Sequence, residues 1–106
     1  MSEQVTTGVW QVNPAKEADF VRAWAEFARQ ASTNPGATTL RLGRDLGAEG
    51  RYVSYAAWKD AESAHAWKTG PHFQEQIAQV LQYVDDFRAT ELAVVATASD
   101  GTSTSA

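Results

Sequence analysis

The order of two hydrophobic periodicities along the chain is the strongest constraint on its fold. Four segments alternate with the period of two that is typical of strands: residues 5–12, 38–45, 51–58 and 86–97. Apolar residues with helical spacing follow the first and the third of these segments. The resulting order, βαββαβ, predicts a ferredoxin-like α+β fold: a four-stranded antiparallel sheet with helices on one face. We expect one domain over residues 1–98, followed by a disordered polar tail at residues 99–106.

Capping residues mark where the two helical regions begin. Asn13 is a preferred N-cap, and Pro14 lacks an N–H that the first helical turn would leave unpaired. Asp60 caps a second, broken helix, whose first piece is predicted at residues 61–69. Its second piece is predicted to start at Pro71.

The sheet face without helices predicts a partner. That face would carry some of Val9, Tyr55, Leu92 and Val94, and an apolar surface of this kind marks an interaction site. The simplest solution is a homodimer that pairs sheet against sheet, in which the last strand reaches toward the neighbour. Gly8, inside the first strand, indicates either a bulge or a close approach of another group to the backbone.

Composition excludes several classes of function. The net charge is -4, and the nine basic residues form no run, which argues against a nucleic-acid or anionic-membrane surface. The absence of cysteine removes disulfides, thiolate nucleophiles, iron–sulfur clusters and cysteine-ligated zinc. The first ten residues lack the pattern of a signal peptide, and no apolar run approaches the ~20 residues needed to span a bilayer. We therefore expect a cytoplasmic protein.

Residues 52–73 hold most of the side chains with chemical potential. They include two of the four tryptophans, two of the three tyrosines and both histidines. His72, in the first turn of a helix, is either a neutral base or a structural hydrogen-bonding group. His65 is either catalytic or simply faces water, and Trp67 is either part of a ligand site or part of the core. The two histidines with Asp60 or Glu62 have no recognised metal-ligand spacing, so no metal site is expected.

Three sequence elements carry a resemblance to a known family: WKDAESAHAWKTGPHF at residues 58–73, NPAKE at residues 13–17 and PG at residues 35–36. With the element order, they make residues 5–95 resemble the antibiotic biosynthesis monooxygenase (ABM) family. The resemblance implies a dimeric ferredoxin-like α+β barrel. The family includes cofactorless quinone-forming oxygenases, haem-degrading enzymes, isomerase-like proteins and proteins of unknown role.

The functional patterns of the family match this sequence in part. Polyketide-oxidising members carry an Asn four residues before a Trp and a Tyr six residues after it; here the Trp is Trp67, with Ser63 and Phe73 at the flanking positions. Haem-degrading members carry an iron-ligating His ten residues after that Trp, where this chain has Ile77. Haem ligation in that mode is therefore not expected.

A cofactorless oxygenase needs a dry apolar slot, a base and donors for a developing oxyanion, because its substrate must become an anion that reduces O₂ itself. The candidate catalytic residues are His72, Trp67 and His65. The candidate substrate-binding residues are Trp24, Tyr52, Ser54, Trp58, Ser63, Phe73 and Arg88, although Arg88 has an alternative role in an ion pair with Asp45, Asp85 or Glu91.

The first functional hypothesis is a monooxygenase without metal or flavin that acts on a small aromatic metabolite, phenolic or polycyclic. The alternative is a non-catalytic small-molecule-binding or stress-associated protein of the same fold, and a third is a pure dimerisation scaffold. A titratable base inside the pocket separates the first hypothesis from the second.

Overall fold

The computed structural model describes residues 3–98, which form one antiparallel sheet covered by three α-helices. The strands are β1 (Gln4–Val12), β2 (Ala37–Arg44), β3 (Arg51–Trp58) and β4 (Val84–Ala93), and the helices are α1 (Glu17–Ala31), α2 (Ala61–Lys68) and α3 (Phe73–Leu81). The strand order across the sheet is β2-β3-β1-β4. This order confirms the predicted ferredoxin-like α+β fold. The tail predicted at residues 99–106 lies outside the described residues.

The predicted helix signals act as expected at two of three positions. The Asn13 side chain accepts a hydrogen bond from the Ala15 N–H at 2.9 Å and opens a 3-10 turn at Pro14–Lys16, which leads into α1. Asp60 caps α2 by accepting from the Ser63 N–H at 2.8 Å. The predicted start of the third helix at Pro71 is wrong. The Phe73 N–H bonds to the Gly70 carbonyl, so Pro71 and the next residue form a turn before α3 begins.

The last strand ends earlier in the chain than the periodicity predicts. It was expected at residues 86–97, whereas β4 spans Val84–Ala93. Its neighbour β1 begins at Gln4, directly opposite Ala93, so the residues beyond have little strand left to pair with. One further bond, from the Val94 N–H to the Glu3 carbonyl at 2.9 Å, closes the ladder.

The main core lies between α1, α3 and the centre of the sheet. Its ring contacts are tilted or stacked: Trp10 stacks on Phe87 with centroids 4.0 Å apart, and Phe20 lies 5.1 Å from Tyr52. Complete burial of a large apolar side chain stabilises a fold by about 3 kcal/mol. The buried members of this cluster are Trp10, Val12, Phe20, Trp24, Phe27, Tyr52 and Val80.

None of the helices in residues 3–98 covers the opposite face of the sheet. The shortest dimension of the structure is 19 Å, which corresponds to one sheet and one helical layer at ~10 Å each. Strand alternation places Val9, Tyr55 and Leu92 on this open face, as predicted, where Tyr55 is 43% and Leu92 48% exposed. Val94 lies just beyond the end of β4. Within residues 3–98, no helix has the length and hydrophobicity that crossing a membrane requires.

A hydrogen bond ties the start of α1 to the sheet. The Tyr52 hydroxyl on β3 donates to Glu17 Oε1 at 2.7 Å. This bond to a carboxylate, together with burial, raises the pKa of Tyr52 above its usual value. The Tyr52 side chain therefore links the sheet to the helical layer.

Replacing Tyr52 by Phe is expected to lower the free energy of unfolding by about 1–2 kcal/mol, because Glu17 loses its donor. Since the folded-state pKa of Tyr52 is raised, the bond contributes fully below about pH 10, the usual tyrosine pKa, and its contribution disappears as the pH rises through the folded-state value. Urea unfolding of wild type and variant at a series of alkaline pH values measures this difference. Tyr83→Phe, at a half-buried tyrosine, is the matched control. An unchanged urea midpoint for Tyr52→Phe would show that the hydrogen bond to Glu17 does not stabilise the fold.

Candidate functional site

A cavity of about 240 Å³ lies between the sheet and the helices. This volume is somewhat below the ~300–1,000 Å³ of drug-sized ligand sites, and an apolar lining with few polar groups is typical of such sites. It therefore suits a small, largely apolar molecule. The aromatic side chains that line it are Trp10, Trp24, Phe27, Trp67, Phe73 and Phe87.

Small residues on three adjacent strands form the floor of the cavity. Gly8 on β1 pairs with Ser54 on β3 and with Ala89 on β4, so all three share one face of the sheet. A Cβ at Gly8 would lie only 2.8 Å from Phe87 Cε1 and from Ser54 Oγ. Gly8 is therefore a point of close approach, one of the two predicted alternatives, whereas the strand irregularity lies further along, between Gln11 and Val12.

Trp67 is the centre of the aromatic wall on the helix side. Its ring stacks against Trp58 at 5.0 Å and meets Phe73 edge-on at 4.9 Å, with an interplanar angle of 83°. Phe27 of α1 lies 5.4 Å away. Because three elements hold this ring in place, the wall is preorganised for a flat ligand.

Polar side chains reach the cavity at its floor and at its edge. On the floor, the Trp10 Nε1–H donates to Ser54 Oγ at 2.9 Å, and both are buried. A hydroxyl that accepts still has its own hydrogen, so Ser54 is able to donate into the cavity. At the edge, Lys68 is the one charged side chain among the described residues of the lining, and its Nζ is paired with Glu91 Oε2.

Four of the predicted site residues come together at this cavity: Trp24, Ser54, Trp67 and Phe73. The others lie elsewhere. Trp58 is fully buried behind Trp67 and donates to Thr6 Oγ1 at 3.4 Å. Tyr52 is engaged with Glu17.

The two histidines are outside the cavity. His65 is exposed and lines a separate small cleft with Gln4, Lys68 and Glu91. His72 is exposed in a shallow groove on the outer side of the wall. No histidine and no tyrosine occurs among the cavity-lining residues, which all belong to the described part of the chain.

Ser63 and Arg88 also lie away from the cavity. The Ser63 hydroxyl donates to Asp60 Oδ1 at 2.8 Å, which reinforces the cap of α2. Arg88 is on the open face of the sheet, because its Cα partner across the ladder is Val9. Its side chain is 82% exposed and lies 3.7 Å from Asp86, which is none of the three ion-pair partners that the sequence suggested.

Several lining residues were absent from the predicted site: Trp10, Phe27, Lys68, Ile77, Phe87, and Gly8 and Ala89 on the floor. Strand alternation could have identified one of these residues, since it places Trp10 on the same face of β1 as Gly8. The register that brings Phe87 opposite Trp10 has no local signal in the sequence. Lys68 directly follows Trp67, but the direction of its side chain depends on how α2 is oriented about its own axis against the sheet.

The side chains of the lining are hydrocarbon, aromatic or hydroxyl-bearing, apart from Lys68. Ile77 contributes only hydrocarbon to the lining. Across residues 3–98, no three His, Cys, Asp or Glu side chains are grouped closely enough to hold a metal ion.

Comparisons with known proteins relate both the sequence and the fold to one family. A family model described as antibiotic biosynthesis monooxygenase matches residues 5–79. A variant of SnoaB, a cofactor-independent oxygenase from Streptomyces nogalater, is similar in structure with a TM-score of 0.82 and 19% identity, over 92% of this chain and 97% of that one. No curated protein matches the sequence.

Two further solved structures show the same architecture. A proposed antibiotic biosynthesis monooxygenase from Nitrosomonas europaea has a TM-score of 0.78 and 20% identity, over 88% of this chain and 90% of that one. A conserved protein from Methanosarcina mazei Go1 has a TM-score of 0.79 and 17% identity, over 87% and 92%. At these identities the structural likenesses establish the fold.

Ser54→Ala is expected to destabilise the protein by about 1–3 kcal/mol, because the buried Trp10 N–H is left without an acceptor. Thr6→Val is a graded control, since it removes a longer bond, 3.4 Å from Trp58 Nε1, and is expected to cost less. Urea unfolding followed by tryptophan fluorescence measures both. A Ser54→Ala protein as stable as wild type would show that the cavity floor does not depend on this bond.

Proposed function

The chain belongs to the antibiotic biosynthesis monooxygenase family, and we propose that it is a cofactor-independent monooxygenase that oxidises a small phenolic or polycyclic aromatic molecule in its central cavity. The observation that carries this proposal is the aromatic cavity itself, with Ser54 on its floor and Lys68 at its edge. The fold shared with SnoaB, a cofactor-independent oxygenase, supports the reaction class.

The electrons for such a reaction come from the substrate. An ionised anthrone-type molecule is electron-rich enough to reduce O₂; its CH₂ group becomes a carbonyl, and O₂ supplies one oxygen to that carbonyl and the other to water. The protein contributes a planar slot, exclusion of water and hydrogen-bond donors for the substrate oxygens. In this proposal Trp24, Trp67 and Phe73 form the slot, and Ser54 donates to a substrate oxygen.

The location of the histidines affects the choice of base. His65 and His72 are exposed and line other surfaces, so their catalytic roles stay predictions. A substrate acidic enough to ionise near neutral pH needs no strong base in the cavity. We therefore propose that the substrate enters the reaction as its own anion.

A second candidate function is binding without turnover, as in a small-molecule-binding or stress-associated protein of the same fold. The observation that favours it is the lining, which in the described residues includes neither histidine nor tyrosine. Among the described lining residues, neither a histidine nor a tyrosine supplies the base that was expected to separate the two functions, so the oxygenase loses the main support expected for it. Both functions use the same slot, and O₂ consumption is the measurement that decides between them. The cytoplasmic location expected from the sequence stays a prediction.

We also propose that the protein is a homodimer that pairs the open faces of two sheets. Support comes from the exposed apolar residues of that face: Val53 is 42%, Tyr55 43% and Leu92 48% exposed. Exposed apolar residues of this kind on one face of a monomer would favour association, and a self-complementary face is satisfied by a two-fold axis.

The oxygenase proposal predicts that metal-free protein consumes O₂ when given a hydroxyanthrone, above the rate in buffer. Ala89→Leu, which fills the cavity floor, and Trp67→Phe, which reshapes its wall, are expected to lower the rate by about tenfold or more, since small displacements of a reacting group are costly. Val21→Ala, at an exposed position on α1 outside the cavity, is the control and is expected to keep the rate. An O₂ electrode measures all four proteins. Uptake equal to buffer, together with saturable binding, would select the non-catalytic alternative.

The dimer proposal predicts twice the mass of the chain by sedimentation equilibrium. Tyr55→Glu is expected to shift the protein to monomer, because it places a charge in the centre of the open face. Val21→Glu on α1 is the matched control, since Val21 is similarly exposed (42%) but lies on a helix. A wild-type protein that sediments as a monomer at high concentration would refute the proposed pairing.

A further inference from the structure

Lys68 lies at the boundary between the apolar cavity and a charged cleft. It is the last residue of α2 and lines the cavity next to Trp67. It also lines the adjoining cleft with Gln4, His65 and Glu91. The Lys68 side chain therefore borders two different spaces, one aromatic and one polar, and its Nζ is held by Glu91.

The ion pair that holds Lys68 is easily exchanged. Its partner is Glu91 on β4, and the side chains are 31% and 54% exposed. Ion pairs with this exposure contribute little to stability, because water screens both charges. Glu91 also keeps other partners when Lys68 moves, since Gln4 Nε2 donates to its Oε1 at 3.3 Å and His65 lies in the same cleft.

A negatively charged ligand in the cavity would gain more from Lys68 than Glu91 does. An anion placed among aromatic side chains loses much of its hydration, and this loss is costly unless a cation compensates it. Electrostatic attraction is also stronger inside such a cavity than at an exposed pair. Ser54, on the floor, is able to donate a hydrogen bond but carries no charge.

We propose that Lys68 determines the ligand specificity of the cavity: it selects aromatic molecules that carry an anionic oxygen, such as a phenolate, an enolate or a carboxylate, and exchanges Glu91 for that oxygen on binding. This inference rests on the proposed function in taking the cavity as the ligand site, and it names the charge of the ligand. In the oxygenase, Lys68 would hold the substrate as the anion that reacts with O₂, which removes the need for a histidine base.

The test uses two probes of the same shape, 2-naphthoate, which is ionised at pH 7 as carboxylic acids are, and the neutral 2-naphthamide. Quenching of tryptophan fluorescence reports binding, because three tryptophans line the cavity. Wild type is expected to bind naphthoate at least about tenfold more tightly than the amide. Lys68→Met, which keeps an unbranched apolar chain, is expected to abolish this preference and leave amide binding unchanged.

Glu91→Gln provides the opposite change. It removes the carboxylate that competes for Lys68 and is expected to tighten naphthoate binding by about two- to fivefold, again without effect on the amide. Lys68→Met and Glu91→Gln break the same ion pair, so a purely structural effect would change binding in the same direction in both. Opposite effects on naphthoate alone identify charge selection.

The failures of the two proposals are distinguishable. Equal affinity for both probes in wild type, or a preference that survives Lys68→Met, overturns the role of Lys68 and leaves the cavity as a ligand site. If neither probe binds while the hydroxyanthrone assay shows O₂ uptake, charge selection is also overturned and the oxygenase stands. If neither probe binds and no O₂ is consumed, the cavity proposal itself fails, and the role of Lys68 with it.

Discussion

The cavity depends on Gly8, because β1, an inner strand of the sheet, carries no side chain at the point where the neighbouring groups converge. At Gly8, the Phe87 ring, the Ser54 hydroxyl and the Trp10 indole all approach within 3.0 Å of the position that a Cβ would occupy. This close approach lets Trp10 stack on Phe87 and also donate to Ser54. A methyl group at this position would force apart the groups that form the floor, since a packed interior has little space to absorb it.

The walls and the floor of the cavity differ in their chemistry. Trp67 is held by Trp58, Phe27 and Phe73, so the wall is rigid and apolar. The floor carries the Ser54 hydroxyl and the edge carries Lys68, and both side chains are able to donate hydrogen bonds to an oxyanion. Because the titratable groups lie at the rim and outside, the cavity is better suited to positioning an already reactive molecule than to removing a proton from an unreactive one.

The sequence predicted the fold more completely than the site. Caps at Asn13 and Asp60 act through neighbouring residues, and strand alternation is a local property, so both were visible in the sequence. Residues of the site come from four strands and three helices, and their meeting depends on register and helix rotation. Arg88 shows the difference: alternation puts it on the same face as Leu92, yet it was expected at the substrate site, and the pairing with Val9 confirms that it lies on the open face instead.

The sequence by itself determined the element order, the positions of the caps, the small residue at Gly8 and the family resemblance, because each of these depends on residues close together in the chain. The tertiary structure decided which side chains share the cavity. It turned His65 and His72 outward, placed Ser63 in a helix cap, and brought Lys68 to the edge of the aromatic slot. The physical reason is that strand register and the rotation of α2 are set by burying the whole apolar surface at once, which no local pattern specifies.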